Sequence, residues 1–187
     1  MTNENMTPEQ EVQMKIEAKY LRRSALLMII PVVCAIVGRA FLAFYPATAC
    51  AVAENPVLLA LWPQNLLLLD QLNASQFARH ERCTFFAMQS ILAAGCYFWF
   101  ILKFIDDYRR EDRVFVTGFL KVALLTLAVS IVTILFSNFH PKDSLFSLSF
   151  SQSIETNIWK NIPLILLTFW SIGTITERAL AYRRSIS

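Results

Sequence analysis

The four cysteines and two histidines are the residues of this chain best suited to chemistry. His80-Glu81-Arg82-Cys83 places two potential metal ligands three residues apart, and Cys50 and His140 could complete a four-ligand set. The same thiols have a competing use. Cys50 and Cys83 flank a long connection between apolar stretches, and a disulfide would close it on an oxidising side of a membrane. Cys34 and Cys96 lie inside apolar stretches and read as small hydrophobes. No histidine lies in those stretches, which excludes haem held between helices and leaves Ser90 and Ser130 without a base.

Other reactive patterns are missing. The sequence holds no G-x-S-x-G, H-E-x-x-H, C-x-x-C or phosphate-loop run. Asp106, Asp107, Glu111 and Asp112 resemble an acidic metal cluster, but Lys103, Arg109, Arg110 and Arg113 are interleaved with or beside them. Their charges largely cancel, as on a solvated turn. The expectation is a protein that is not an enzyme and has no cofactor and no resident metal.

Apolar blocks dominate the elements that must position these residues. The chain has 187 residues, 56% hydrophobic and 17% charged, against about 45–50% and 25% in soluble domains. The excess lies in long blocks, so the expected class is an all-α integral membrane protein, a single domain in the lipid bilayer. A net charge of +3 with basic residues at block ends reads as topology, not as a nucleic-acid surface. The first apolar run is too long, and lacks the cleavage site, for a signal peptide.

Four spans are predicted, at 25–45, 84–105, 115–139 and 159–180. Residues 1–23 read as a cytoplasmic tail with an amphipathic helix, begun by the capping box Thr7-Pro8-Glu9-Gln10 and carrying Val12, Ile16 and Tyr20 on one face. Pro31 should kink the first span. Arg39, near its outer end, is expected to snorkel to headgroups, with pairing to a partner as the sharper alternative. Residues 46–82 form an outer loop containing an interfacial or re-entrant segment. There Leu61, Leu68, Leu69 and Leu72 share a helical face that Asn65 interrupts, and Pro63 breaks the run. Asn73-Ala74-Ser75 matches a glycosylation sequon and reads as accidental.

In the second span Ala87, Ser90 and Ala94 form a small-residue face, and Tyr97 to Phe100 read as packing and interface anchors. Scarce glycine argues against glycine-driven helix packing. Residues 106–113 are a cytoplasmic hairpin. The third span carries Thr126, Ser130, Thr133 and Ser137 at helical spacing; hydroxyls bonded to their own backbone explain that stripe, and a solute path is the alternative. Lys121 can snorkel inward. Residues 140–158 form a second outer loop, in which Ser147, Ser149 and Ser151 alternate with Leu148 and Phe150 as in a strand. Pro163 is expected in the first turn of the last span, and residues 181–187 form a second cytoplasmic tail.

Charge sets the orientation. Lys15, Lys19, Arg22, Arg23, Lys103, Arg109, Arg110, Arg113, Arg178, Arg183 and Arg184 fall on one face; Arg79, Arg82, Lys142 and Lys160 fall on the other. The positive-inside rule places both termini and the hairpin in the cytoplasm of a bacterial inner membrane.

Contact surfaces without chemistry point to an accessory subunit of a larger bacterial membrane complex, in secretion, conjugation or electron transfer. Its partners would be other membrane-protein subunits. Arg39, Arg109, Arg110, Arg113, Thr126, Ser130 and Thr133 are the candidate contact residues, and Cys50 with Cys83 the candidate disulfide. The layout also resembles immunity proteins against pore-forming bacteriocins of the colicin A type: similar length, four spans, termini inside, a long first outer loop and a compact charged hairpin. That resemblance implies protection of a cell from one toxin. A small transporter or channel is a third expectation. Four spans without an internal repeat or a mid-membrane acid offer it no coupling site.

Overall fold

The computed structural model describes residues 28–109, 117–139 and 148–186, together with Val12, Lys15, Ala18, Arg22 and Leu26, which are helical and exposed. The capping box, Arg110, Arg113, His140 and Ser147 lie outside the described residues, as do the side chains of Arg109 and of the last six residues. Seven helices follow in order: α1 Ile29–Phe44, α2 Pro46–Ala53, α3 Pro56–Leu59, α4 Pro63–Asn73, α5 Arg79–Arg109, α6 Thr117–Leu135 and α7 Ile154–Ile186. No strand forms among the described residues. Ser149 lies in an isolated bridge and Ser151 in the turn after it, their hydroxyls 2.7 Å apart.

Among the described residues, two helices are long and apolar enough to cross a membrane, over Arg79–Asp106 and Ile154–Leu180. A third candidate arises if α1 and α2 count as one broken span; they bend by 117° where Tyr45 meets Pro46. The bend therefore lies at Pro46, not at Pro31. Pro31 sits in the first turn of α1 and is buried there, where a missing N–H breaks no helical bond. α6 is apolar over Leu120–Leu135, and the helix stops short of the expected end at residue 139.

α5 is the centre of the fold. It packs against α1, α2 and α7, while α6 packs on α7 from the far side. Every residue from Phe85 to Ser90 is buried, so that stretch of α5 is enclosed all round. α1 runs antiparallel to it. A Cβ on Gly95 would stand 2.9 Å from the Cys34 Cβ and 3.3 Å from the Pro31 backbone. This is a single glycine and not a GxxxG pair, and one at a crossing suffices to bring two backbones together. Ala87 and Ser90 are buried, but Ala94 is exposed and Ala93 takes its place.

α5 and α7 run side by side in parallel. Tyr97 meets Phe169 edge-on at 4.7 Å between ring centroids, and Lys103 pairs with Glu177 at 2.9 Å further along. α7 begins five residues before the expected span. Ser153 caps it by accepting from the Thr156 N–H at 3.2 Å, the role serine favours at a helix start. Pro163 consequently lies inside α7 rather than in its first turn. At the other end of the pair, α5 continues through Asp106 and Asp107 to Arg109, so half of the expected hairpin is helix.

Residues 46–78 differ most from a loop. Pro46, Pro56 and Pro63 each open a short helix, the first helical position that proline suits best. The Asn55 side chain caps α3 by accepting from the N–H groups of Val57 and Leu58. The segment then dips into the bundle. Glu54 pairs with Arg79 at the start of α5, and Asn65 bonds to Ser90 at 3.2 Å, about 16 Å further along that helix. Trp62 reaches deepest, its ring 6.4 Å from that of Phe169, itself against Tyr97. The leucine face of α4 packs inward as its spacing implied, with Leu68 and Leu72 wholly buried. Asn65 interrupts the apolar face but is buried with it, its Nδ2 bonded and its Oδ1 without a partner.

Candidate functional site: a buried polar seat beneath a disulfide

The polar seat is built by the re-entrant segment on three helices. Gln64, 1% exposed, lies at its centre. Its amide N–H donates to Ser137 Oγ at 2.6 Å, and its carbonyl oxygen accepts from Trp62 Nε1 at 2.9 Å and from the Asn161 amide. Ser137 Oγ donates in turn to the Thr133 carbonyl at 2.6 Å. Asn65 donates to the Leu59 carbonyl and to Ser90 Oγ. One turn of α4 thereby holds α5, the end of α6 and α7 together. An amide left unpaired in such surroundings costs several times what a paired one contributes, so the contacts choose one arrangement.

The outer margin is fastened separately. The Gln71 side chain donates to Asn138 Oδ1 and accepts from the Phe139 N–H, both at 2.9 Å. Arg82 of α5 donates to the Leu72 and Asn73 carbonyls at 3.2 and 2.9 Å, closing the C-terminal end of α4 where carbonyls lack helical partners. Phe77, Phe85, Phe139 and Phe150 stack in one cluster, with Phe139 and Phe150 rings 4.9 Å apart. Asn157 exchanges two bonds with the Ser149 backbone and so fixes residues 148–153 to α7.

Cys50 and Cys83 are joined, with Cα atoms 4.7 Å apart and a sequence separation of 33. The bond ties α2 to the first turns of α5. Glu54 lies beside it, its carboxylate and both sulfurs falling within 4.8 Å of one another. A metal there would need both thiolates, and the disulfide consumes them. His80 is exposed.

The other named residues are scattered. Arg39 does not stand alone at the headgroups: it pairs with Glu155 at 3.3 Å, at the start of α7. The hydroxyl stripe of α6 does not line one path. Ser130 is buried, Thr126 half-buried and Thr133 exposed, and Thr133 donates to the Val129 carbonyl one turn back at 2.8 Å. Thr168, Ser171, Thr174 and Thr176 of α7 do the same, the usual use of hydroxyls in apolar helices. Thr133 and these four hydroxyls of α7 are thus spent on backbone carbonyls.

Sequence reasoning missed one charged site. Lys103, counted with the charged hairpin at the cytoplasmic face, is buried and pairs with Glu177 at 2.9 Å, with side-chain exposures of 6% and 15%. Trp99 stands next to the pair, fully buried, and packs where a Cβ on Gly173 would lie only 2.9 Å from its ring. The signal in the sequence was a lysine flanked on both sides by apolar residues, Ile101-Leu102 and Phe104-Ile105. No known protein family matches this chain, and no curated protein or solved structure matches it either.

Proposed function

We propose that the chain is a four-span inner-membrane protein of bacterial type, with both termini cytoplasmic, that works without catalysis as an accessory subunit of a larger membrane complex. One observation carries this reading. α6 touches α7 along a narrow stripe of Ala123, Ser130 and Ile134, and leaves Val122, Leu124, Leu125, Val129, Ile131, Val132 and Leu135 exposed. That side suits lipid and the helices of another subunit, not water. α6 as a whole is 19 residues, about 28 Å long, close to the ~30 Å of a hydrocarbon core. Blue-native electrophoresis in mild detergent tests the reading: a band well above the monomer is expected, and migration only as the free ~21 kDa chain overturns it.

The bacteriocin-immunity reading is the alternative. It is favoured by the re-entrant segment, which fills the interior with the chain's own residues, so that a protein acting alone needs no further subunit to complete it. Expression in a sensitive strain should then protect against one pore-forming toxin, and sensitivity to a full toxin panel removes this reading.

A further inference from the structure

The segment between Ala53 and Arg79 is unlike the spans around it. It enters the bundle beside Cys50, turns at Trp62 among residues at the depth of Phe169, and leaves at Cys83. Of its own polar residues, Gln64 and Asn65 are buried next to the turn, Gln71 is half-buried, and Asp70 and Asn73 are exposed on the way out. In water each would find partners, so this segment can leave the bundle at a cost the spans could not meet. Its polar ties are bonds from Gln64, Asn65 and Gln71, the Arg82 cap, and the Glu54–Arg79 pair, whose side chains are 57% and 72% exposed; its apolar ties are Leu59, Trp62, Leu68 and Leu72 in the core and Phe77 against it. An exposed pair of that kind holds little. The disulfide joins the point of entry to the point of exit.

We propose that the Cys50–Cys83 bond is a redox-controlled latch on this re-entrant segment. Closed, it keeps Gln64 and Asn65 seated on Ser90, Ser137 and Asn161. Opened, it lets residues 54–78 withdraw toward the outer surface and hydrates the seat they leave. The opening chemistry is thiol–disulfide exchange with a dithiol. One thiolate of the reductant attacks a sulfur of the pair, the other protein sulfur leaves as thiolate, and the reductant's second thiolate then releases the first. Two protein thiols and one reductant disulfide result. Cys50 is half-buried, so a reductant can reach the bond. The inference goes beyond the proposed function and holds whichever partner the protein meets.

Hydrogen exchange on the full chain in lipid nanodiscs, followed by mass spectrometry with and without dithiothreitol, tests it. Reduction should speed exchange across residues 54–78 by tenfold to several-hundredfold, the range set by closing a loop of this length. Peptides from residues 85–105 and 160–178 should stay protected. The doubly substituted Cys50→Ser, Cys83→Ser protein should behave like the reduced one without any reductant. Asn161→Leu supplies the second arm: it should leave the oxidised segment protected and loosen it further only after reduction. Unchanged exchange on reduction overturns the proposal. So does equal acceleration in the spans, which would mean general loosening, or release by Asn161→Leu in the oxidised protein, which would make the amide contacts the latch.

Discussion

At the scale of single residues, the buried ion pair and the buried amides set the outcomes to expect. Lys103 and Glu177 are both largely buried, so removing one member of the pair costs more than replacing both by apolar residues. Glu177→Gln should therefore destabilise the protein by about 3 kcal/mol, while Lys103→Met with Glu177→Leu should be close to neutral. Thermal unfolding of the three proteins in detergent measures both. Gln89 is the opposite case. It is 2% exposed, and neither atom of its amide has a hydrogen-bond partner. Gln89→Met removes an unanswered polar group at nearly constant volume and should raise stability by about 1 kcal/mol, read as a higher unfolding temperature. The pairing of Cys50 with Cys83 could be read from topology, since both fall at the mouth of one connection. That of Lys103 with Glu177 could not, because nothing local to either residue names a partner 74 positions away.

Among the elements, the helix starts decide more than the spans. α7 begins at Ile154 because Ser153 supplies a cap and Glu155 an acid for the first turn. Ser153→Ala should cost about 1 kcal/mol and fray the first turn of α7. Faster amide exchange at residues 154–157 reports the fraying, and an unchanged rate would make the cap unimportant. The three prolines of residues 46–63 show the same logic. Read as breakers they suggest a loop, yet each sits at the first position of a helix. The sequence signal was present in Asn55-Pro56 and Trp62-Pro63. What it lacked was any sign that the resulting short helices turn back into the bundle, a matter of contacts with Ser90, Asn161 and Phe169.

For the whole molecule, charge asymmetry is the organising force in the proposed topology. Moving Lys103 into the interior leaves ten basic residues on the proposed cytoplasmic side against four outside, so the bias survives. Reversing Arg109, Arg110 and Arg113 to glutamate should lower it enough to invert part of the population or to weaken assembly. A phosphatase fused to the C-terminus, active only outside, reads the first effect, and native electrophoresis reads the second. Wild-type behaviour in both would make the hairpin a passive turn.

The sequence by itself determined that the chain is helical, that its helices are apolar enough for a membrane, and where basic residues gather. These properties follow from composition and spacing within about twenty residues, which is the window that hydropathy and charge can report. Only the tertiary structure decided that residues 46–78 re-enter the bundle, that Arg39 and Lys103 are paired, and that α5 rather than the charged hairpin is the centre. Each depends on which distant groups share a low-dielectric interior. There an amide or charge must find its partner wherever the fold has brought one.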